Sequence, residues 1–462
     1  MIQEMLDPAF LKRRIADLAE DLRHHSQQFP ELTPELRKIA DEQGVTAADL
    51  EEARNVIEKA AGEGDFTVSP EQAAWLPCDP HLSIVQSAFE EFYLAVGAVQ
   101  ESTGAGLGGE ADPVTDAALK PEWLPDDSRP FMRQTEQSDV FRWGLSFAAA
   151  KAISALRKKP KFEVPEDILP LQPKARLVLM GDWASGVPRA RNVAEQIKVQ
   201  LNDPDVSNWE RHVIHLGDTY YAGLGSEYRD HLGKLWPVAG SDAERIRSWC
   251  LNGNHDMYSG GRNLFEFLCA DPRFTPQAGC TWFGLENEHW LIFGLDTAFE
   301  SQGLKGDKGG LAAPQAQWIM EKIAARPNKK IILLSHHQPF SAWEGDSPLL
   351  LQALDPLIKG PRPIDAWFWG HEHRCAVYKP AFNIRYPALI GHGGVPVYAS
   401  SKEPKGHEVL AYRTRSFSRF LEKYSYMGFA VLDLDGPKAT VRYLDENGDP
   451  TGDPPWDTHK LG

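Results

Sequence analysis

Ser248-Trp249-Cys250-Leu251-Asn252-Gly253-Asn254-His255-Asp256 runs from a short apolar stretch into glycine and then into an amide, an imidazole and a carboxylate. Ala366-Trp367-Phe368-Trp369-Gly370-His371-Glu372-His373 repeats the arrangement further on. A short apolar run bounded by turn residues reads as a buried strand, so the polar groups that follow leave the strand at its C-terminal end. Three more runs end the same way. Arg176 to Met180 leads into Gly181-Asp182-Trp183, His212 to Leu216 into Gly217-Asp218-Thr219-Tyr220-Tyr221, and Ile331 to Leu334 into Ser335-His336-His337. If all five emerge at one edge of a sheet, carboxylate, amide, phenol and imidazole donors converge there, a set that suits two metal ions.

Outward from these stations, helical segments near 188 to 201, 226 to 237 and 314 to 325 separate several of the strands, with a further strand at Trp290 to Leu295. Phe429 to Leu434 and Ala439 to Tyr443 flank Asp435-Gly436-Pro437-Lys438 as a β-hairpin. The alternation predicts a layered α/β domain over residues 174–450, followed by a C-terminal tail over 451–462. Residues 1–173 read as a mainly helical N-terminal region with Gly/Pro-rich linkers. Leu11, Ile15, Leu18 and Leu22 recur at helical spacing, and Thr33-Pro34-Glu35 and Thr46-Ala47-Ala48-Asp49 open successive helices. Asp49, Glu51 and Glu52 make that pair a packed hairpin rather than a DNA reader. Glycines and prolines mark 103–137 as a linker, and Phe141, Leu145, Ala148 and Ile153 predict one more helix before the prolines at 160, 165, 170 and 173.

The chain of 462 residues is 42% apolar, enough for a sizeable core, and carries a formal charge of −16, which on average repels nucleic-acid backbones. No nucleic-acid partner is expected. The five cysteines, Cys78, Cys250, Cys269, Cys280 and Cys375, show no Cys-x-x-Cys spacing and read as reduced thiols. No basic and apolar leader opens the sequence and no run is long enough to span a membrane, so the expectation is a cytoplasmic protein without a membrane partner. A protein partner for the helical region is left open.

Either Gly181-Asp182 or Gly217-Asp218 alone would be a weak signal, since aspartate commonly caps a turn. The order Asp182, Gly217-Asp218, Gly253-Asn254-His255-Asp256, His and Gly370-His371-Glu372-His373 resembles the calcineurin-like metallophosphoesterase superfamily. That resemblance implies a calcineurin-like β-sandwich flanked by helices. More closely, the chain is similar to the purple acid phosphatase branch, in which Gly-Asp-x-x-Tyr places a tyrosine on ferric iron. Here that tyrosine is Tyr221, and Ala184 stands where many superfamily members have a histidine. A phenolate is a hard donor suited to a trivalent ion, so loss of one ligand and gain of the other fit together. Ala184 also replaces the glycine of the purple-phosphatase motif.

Carried over residue by residue, the resemblance implies a first metal on Asp182, Tyr221 and His373, with Asp218 bridging to a second on Asn254, His337 and His371. His337 is preferred to His336 because the family ligand stands two residues before proline, as in His337-Gln338-Pro339. His336 then supports a ligand or packs in the core. The implied ions are Fe3+ at the Tyr221 site and Fe2+, Zn2+ or Mn2+ at the second. The expected reaction is hydrolysis of a small phosphorylated substrate, with a metal-bound hydroxide attacking phosphorus and the second ion screening charge. His255 protonates or hydrogen-bonds the leaving group and Asp256 orients it. A phosphomonoesterase is favoured; a phosphodiesterase acting on a small diester or nucleotide, and a noncatalytic scaffold with the same fold, are the alternatives. His392 reads equally as a site or a turn residue. Trp183, Trp343 and Tyr258, and the basic residues from Lys402 to Lys423, read as packing and solvated groups.

Overall fold

A computed structural model describes residue 160 and residues 163–186, 188–220, 223, 225–277, 279–299, 309–395, 406–412, 416–419, 422–451 and 459–461. The helices expected before residue 160, Cys78 and Tyr221 lie outside the described residues.

In chain order the elements are β1 (Leu169–Pro170), β2 (Lys174–Met180), α1 (Pro188–Leu201), β3 (Glu210–His215), β4 (Ile246–Cys250), α2 (Asn254–Tyr258), α3 (Arg262–Ala270), β5 (Phe283–Glu286) and β6 (Trp290–Leu295). There follow α4 (Ala313–Ala324), β7 (Lys330–Ser335), α5 (Pro348–Ala353), β8 (Ala366–Trp369), β9 (Cys375–Tyr378), β10 (Pro387–Ile390) and β11 (Val409–Tyr412). Last come β12 (Ser416–Arg419), β13 (Glu422–Ser425), β14 (Gly428–Asp435), β15 (Lys438–Asp445) and β16 (His459–Leu461).

The long strands form two mixed sheets, ordered β1-β5-β6-β7-β8-β10-β9-β11 and β16-β15-β14-β2-β3-β4. Their facing sides share one core. Leu177, Leu179, Ile214, Leu216 and Leu432 of the six-stranded sheet pack with Ile292, Ile332, Leu334, Phe368 and Ile390 of the eight-stranded one. The strand pattern predicts a layered α/β domain; the two facing sheets are built by apolar residues alternating along each strand. The outer face of the larger sheet is also apolar: Phe293, Leu333 and Trp367 meet Trp318, Ile319 and Ile323 of α4. Burial on both faces explains why these strands read as continuous apolar runs.

Two expected helices match their observed spans closely, but the one near 226–237 does not. There the chain makes a single α-helical turn, Gly225–Glu227, and then widened π-type turns over Tyr228–Gly233. The widening accompanies two contacts toward the site, Tyr228 to Asp256 and His231 Nδ1 to the Tyr220 carbonyl at 2.9 Å. At the other end, β14 and β15 pair in full register around the expected hairpin turn. The C-terminal segment adds β16 against β15, and β1 pairs with β5, so strand pairing extends on both sides of 174–450. Cys250, Cys269, Cys280 and Cys375 are free thiols, and among the described residues no helix is long and apolar enough to cross a membrane.

Candidate metal centre

β2, β3 and β4 run parallel, as do β7 and β8, so the loops that follow each strand pair meet across the sandwich. The loops are stitched together by backbone. The N–H of Asp182 donates to Gly217 (3.2 Å), that of Gly370 to His336 (3.0 Å) and that of Gly393 to Gly181 (2.9 Å). Asp182, Asp218 and His371 hold left-handed backbone, with φ of 56°, 73° and 71°. A non-glycine residue avoids this region unless its surroundings force it, and here all three sit at strand ends where donors converge. A Cβ on Gly370 would stand 2.6 Å from Asp182 Oδ2, so a larger residue there would displace that carboxylate.

The first group of donors centres on a phenol. Tyr220 Oη lies 2.7 Å from Asp182 Oδ1, 3.2 Å from Asp218 Oδ2 and 2.8 Å from His373 Nε2, while His373 Nε2 is 3.5 Å from Asp182 Oδ1. The second group is Asn254 Oδ1, His336 Nε2 and His371 Nδ1, with separations of 2.9, 3.0 and 3.3 Å. Asp218 joins the two, since its Oδ1 is 3.3 Å from His336 Nε2. Ligand atoms about 2.1 Å from one ion stand roughly 3.0–3.4 Å apart in octahedral or tetrahedral arrangements; the separations here run from 2.7 to 3.5 Å in the first group and from 2.9 to 3.3 Å in the second.

Each second-group atom is also aimed by a partner. Asn254 Nδ2 donates to Tyr258 Oη (2.8 Å), which turns Oδ1 inward. His336 Nδ1 faces the Leu216 carbonyl (3.0 Å), an acceptor only, so the proton resides there and Nε2 presents its lone pair. A lone pair on His336 and one on Asn254 then face each other, which a cation between them would relieve.

Electrostatics point the same way. Burial, then Asp182 and Asp256, push the Asp218 carboxyl well above its usual range, and burial with Asp182 and Asp218 does the same to the Tyr220 phenol. Burial, reinforced by neighbouring imidazoles, holds His336 and His337 neutral. His371 moves up: burial opposes its charge, but the Glu344, Asp182 and Glu372 carboxylates together outweigh that. Crowded carboxylates and neutral imidazoles without enough protons or cations between them fit a bound metal pair.

The expected residues Asp182, Asp218, Asn254, His371 and His373 are thus brought together. At two places the residue beside the expected one also approaches the donors: Tyr220 beside Tyr221, and His336 beside His337. His336, not His337, meets Asn254 and Asp218; His337 Nδ1 lies 3.0 Å from Thr297 Oγ1, although a ring nitrogen of His337 is also within 4.8 Å of those of His336 and His371. Likewise the phenol among the first donors is Tyr220, with Tyr221 outside the described residues.

His255 is buried, its Nε2 3.8 Å from Asp218 Oδ2 and its ring between those of Tyr220 and Tyr258, with centroids at 4.7 and 4.6 Å. Asp256 ties the loops. Its carboxylate accepts from the backbone N–H groups of Asp218 (2.9 Å), Thr219 (3.1 Å) and Gly253 (2.8 Å), and from the Tyr228 hydroxyl. His392 is buried beside Gly428, and Trp183 is buried with its indole N–H on the Ala190 carbonyl (2.7 Å). Tyr228, like Tyr220 and His336, carries no spacing signal of its own.

The family model for calcineurin-like phosphoesterases matches residues 175–375, the span that holds every donor above. Over that span, less than half of the chain, it is similar to the calcineurin-like phosphoesterases. None of the curated proteins matches it. Among solved structures it is similar to GAP50, the anchor in the inner membrane complex of Plasmodium, at 16% identity over 63% of this chain and 89% of that one, with a TM-score of 0.44. It is also similar to a conserved uncharacterized protein from Streptococcus pneumoniae TIGR4, a predicted phosphoesterase, at 13% identity over 62% and 97% of the two chains, with a TM-score of 0.27.

Proposed function

We propose that this protein is a dinuclear-metal hydrolase of phosphoric esters, with Asp182, Tyr220 and His373 holding one ion, Asn254, His336 and His371 the other, and Asp218 shared. The observation that carries the reading is the convergence of Asn254 Oδ1, His336 Nε2 and His371 Nδ1 beside the Tyr220-centred group, joined by Asp218. When bound, the ions supply Lewis acidity toward phosphoryl oxygens and lower the pKa of water.

The chain's own residues set the stage for that chemistry. Asp218 holds the two donor groups at a fixed spacing, and Asp256 keeps the Asp218 and Asn254 loops from separating by accepting three backbone N–H bonds. His255, beside Asp218 and packed against the rings of Tyr220 and Tyr258, is the proposed proton donor to the leaving oxygen. A phenol donor favours Fe3+ at the first site, with Fe2+, Zn2+ or Mn2+ at the second. A small phosphomonoester is the proposed substrate, on the likeness to the purple acid phosphatase motifs, and the cytoplasm the proposed setting. Hydrolysis of an aryl phosphate monoester and its matching diester, after chelation and metal add-back, tests this: turnover should require metal and favour the monoester. Metal-dependent turnover of the diester alone would correct the substrate class.

A further inference from the structure

His336 and His371 approach the second donor group through different nitrogens, Nε2 and Nδ1 respectively. A neutral imidazole has one lone pair, so whatever accepts the proton on the other nitrogen decides which one can bind a cation. For His336 that acceptor is the Leu216 carbonyl. For His371 the group facing Nε2 is the Glu344 carboxylate, at 3.5 Å.

The backbone that carries Glu344 is held by its loop. Ser341 Oγ accepts from the backbone N–H groups of Trp343 (2.9 Å) and Glu344 (3.1 Å), and the Ser347 N–H closes the loop onto the Pro339 carbonyl (3.0 Å). Trp343 packs edge-on against Tyr378 and lies under the Arg374 guanidinium, 5.1 Å from its ring centroid. The loop backbone next to Glu344 is therefore fixed on both sides.

We propose that Glu344 is a positioning residue of the second cation site: by accepting the Nε2 proton of His371 it leaves Nδ1 as the nitrogen presented to Asn254 and His336. This rests on the two-metal reading above. A carboxylate behind a metal-binding imidazole both orients the ring and makes its free nitrogen a stronger donor.

The test is Zn2+ binding by the metal-free full-length protein, measured by competition with a chromogenic chelator for wild type, Glu344→Ala, Glu344→Gln and Asp346→Asn. Glu344 is half-exposed, so its replacement spares the core, and Asp346 on the same loop pairs instead with His407 at 2.7 Å. Wild type should take two equivalents. Glu344→Ala should weaken one of them by about 10- to 100-fold and leave the other within about threefold. Glu344→Gln, which keeps an acceptor, should recover part of the loss, and Asp346→Asn should match wild type. Equal affinities in wild type and Glu344→Ala, with two equivalents bound, would overturn the role of Glu344 alone. Glu344→Gln and Asp346→Asn as weak as Glu344→Ala would overturn it in favour of a general charge effect. Failure of wild type to bind Zn2+ would overturn both this role and the metal reading beneath it.

Discussion

His336 Nε2 lies 2.9 Å from Asn254 Oδ1, while the other nitrogen of the same ring faces the Leu216 carbonyl at 3.0 Å. The ring is thereby committed to offering a lone pair to the site. His336→Ala should leave one bound metal per chain and lower kcat/KM by at least about 100-fold, because one of the two ions loses a donor. His337→Ala should retain two. Metal analysis of the purified variants checks this, and the reverse result would return the ligand to His337.

Among the described residues, the phenol beside both carboxylates belongs to Tyr220. In protein loaded with ferric iron, a tyrosinate charge-transfer band should be present in wild type and in Tyr221→Phe and absent in Tyr220→Phe. Visible spectra of the three proteins decide which residue supplies the phenolate. Loss of the band only in Tyr221→Phe would move the ligand one residue along.

Asp256 accepts three backbone N–H bonds and one hydroxyl bond while buried. Truncation strands those donors away from water. Asp256→Ala should cost roughly 3 kcal/mol of stability in the metal-free protein, and Tyr228→Phe about 1 kcal/mol. Urea unfolding should show lower midpoints with unchanged slopes for both.

His215 is buried, with Nδ1 3.5 Å from Cys250 Sγ, and burial lowers its pKa from 6.5 to about 4. The unfolded chain therefore binds a proton between these values that the folded chain does not. The stability associated with neutral His215 is complete above pH 6.5 and is lost as pH falls toward about 4. About 3 kcal/mol is at stake. Asp296 opposes it: burial raises its carboxyl from 3.8 to about 6, so its contribution improves as pH falls through that window. The His215 effect is isolated by comparing urea midpoints of metal-free wild type and His215→Gln from pH 7 to pH 4.5. The difference between them should shrink as pH falls; a constant difference would exclude His215.

Much of the architecture could be read from the chain because strands buried on both faces leave continuous apolar runs. Trp290–Leu295 and Ala366–Trp369 fall where those runs stand. The glycine-led polar stations were legible for a related reason, since strand ends that approach one another leave no room for a Cβ, as at Gly253, where it would stand 2.5 Å from the Asp218 backbone nitrogen. The segment after Tyr220 was not legible as a widened turn, because its apolar residues recur much as in an α-helix and the cause lies in distant partners such as Asp256. The neighbours within Tyr220-Tyr221 and His336-His337 are not told apart by sequence alone, for a sharper reason. Side-chain direction at a strand end follows the backbone's bend, and Asp182 and Asp218 already depart from extended geometry there. Glu344 left no trace in any motif, being joined to His371 only by the folding of a loop.

The central claim is that two cations assembled on this donor set hydrolyse phosphoric esters. Its most direct test is a titration of metal into chelator-stripped protein, with bound metal and hydrolysis of an aryl phosphate followed together. Two equivalents should bind, and hydrolysis should rise to its full rate only as the second site fills. Two bound equivalents with no hydrolysis of either monoester or diester would contradict the enzymatic reading, and saturation at one equivalent would contradict the dinuclear site.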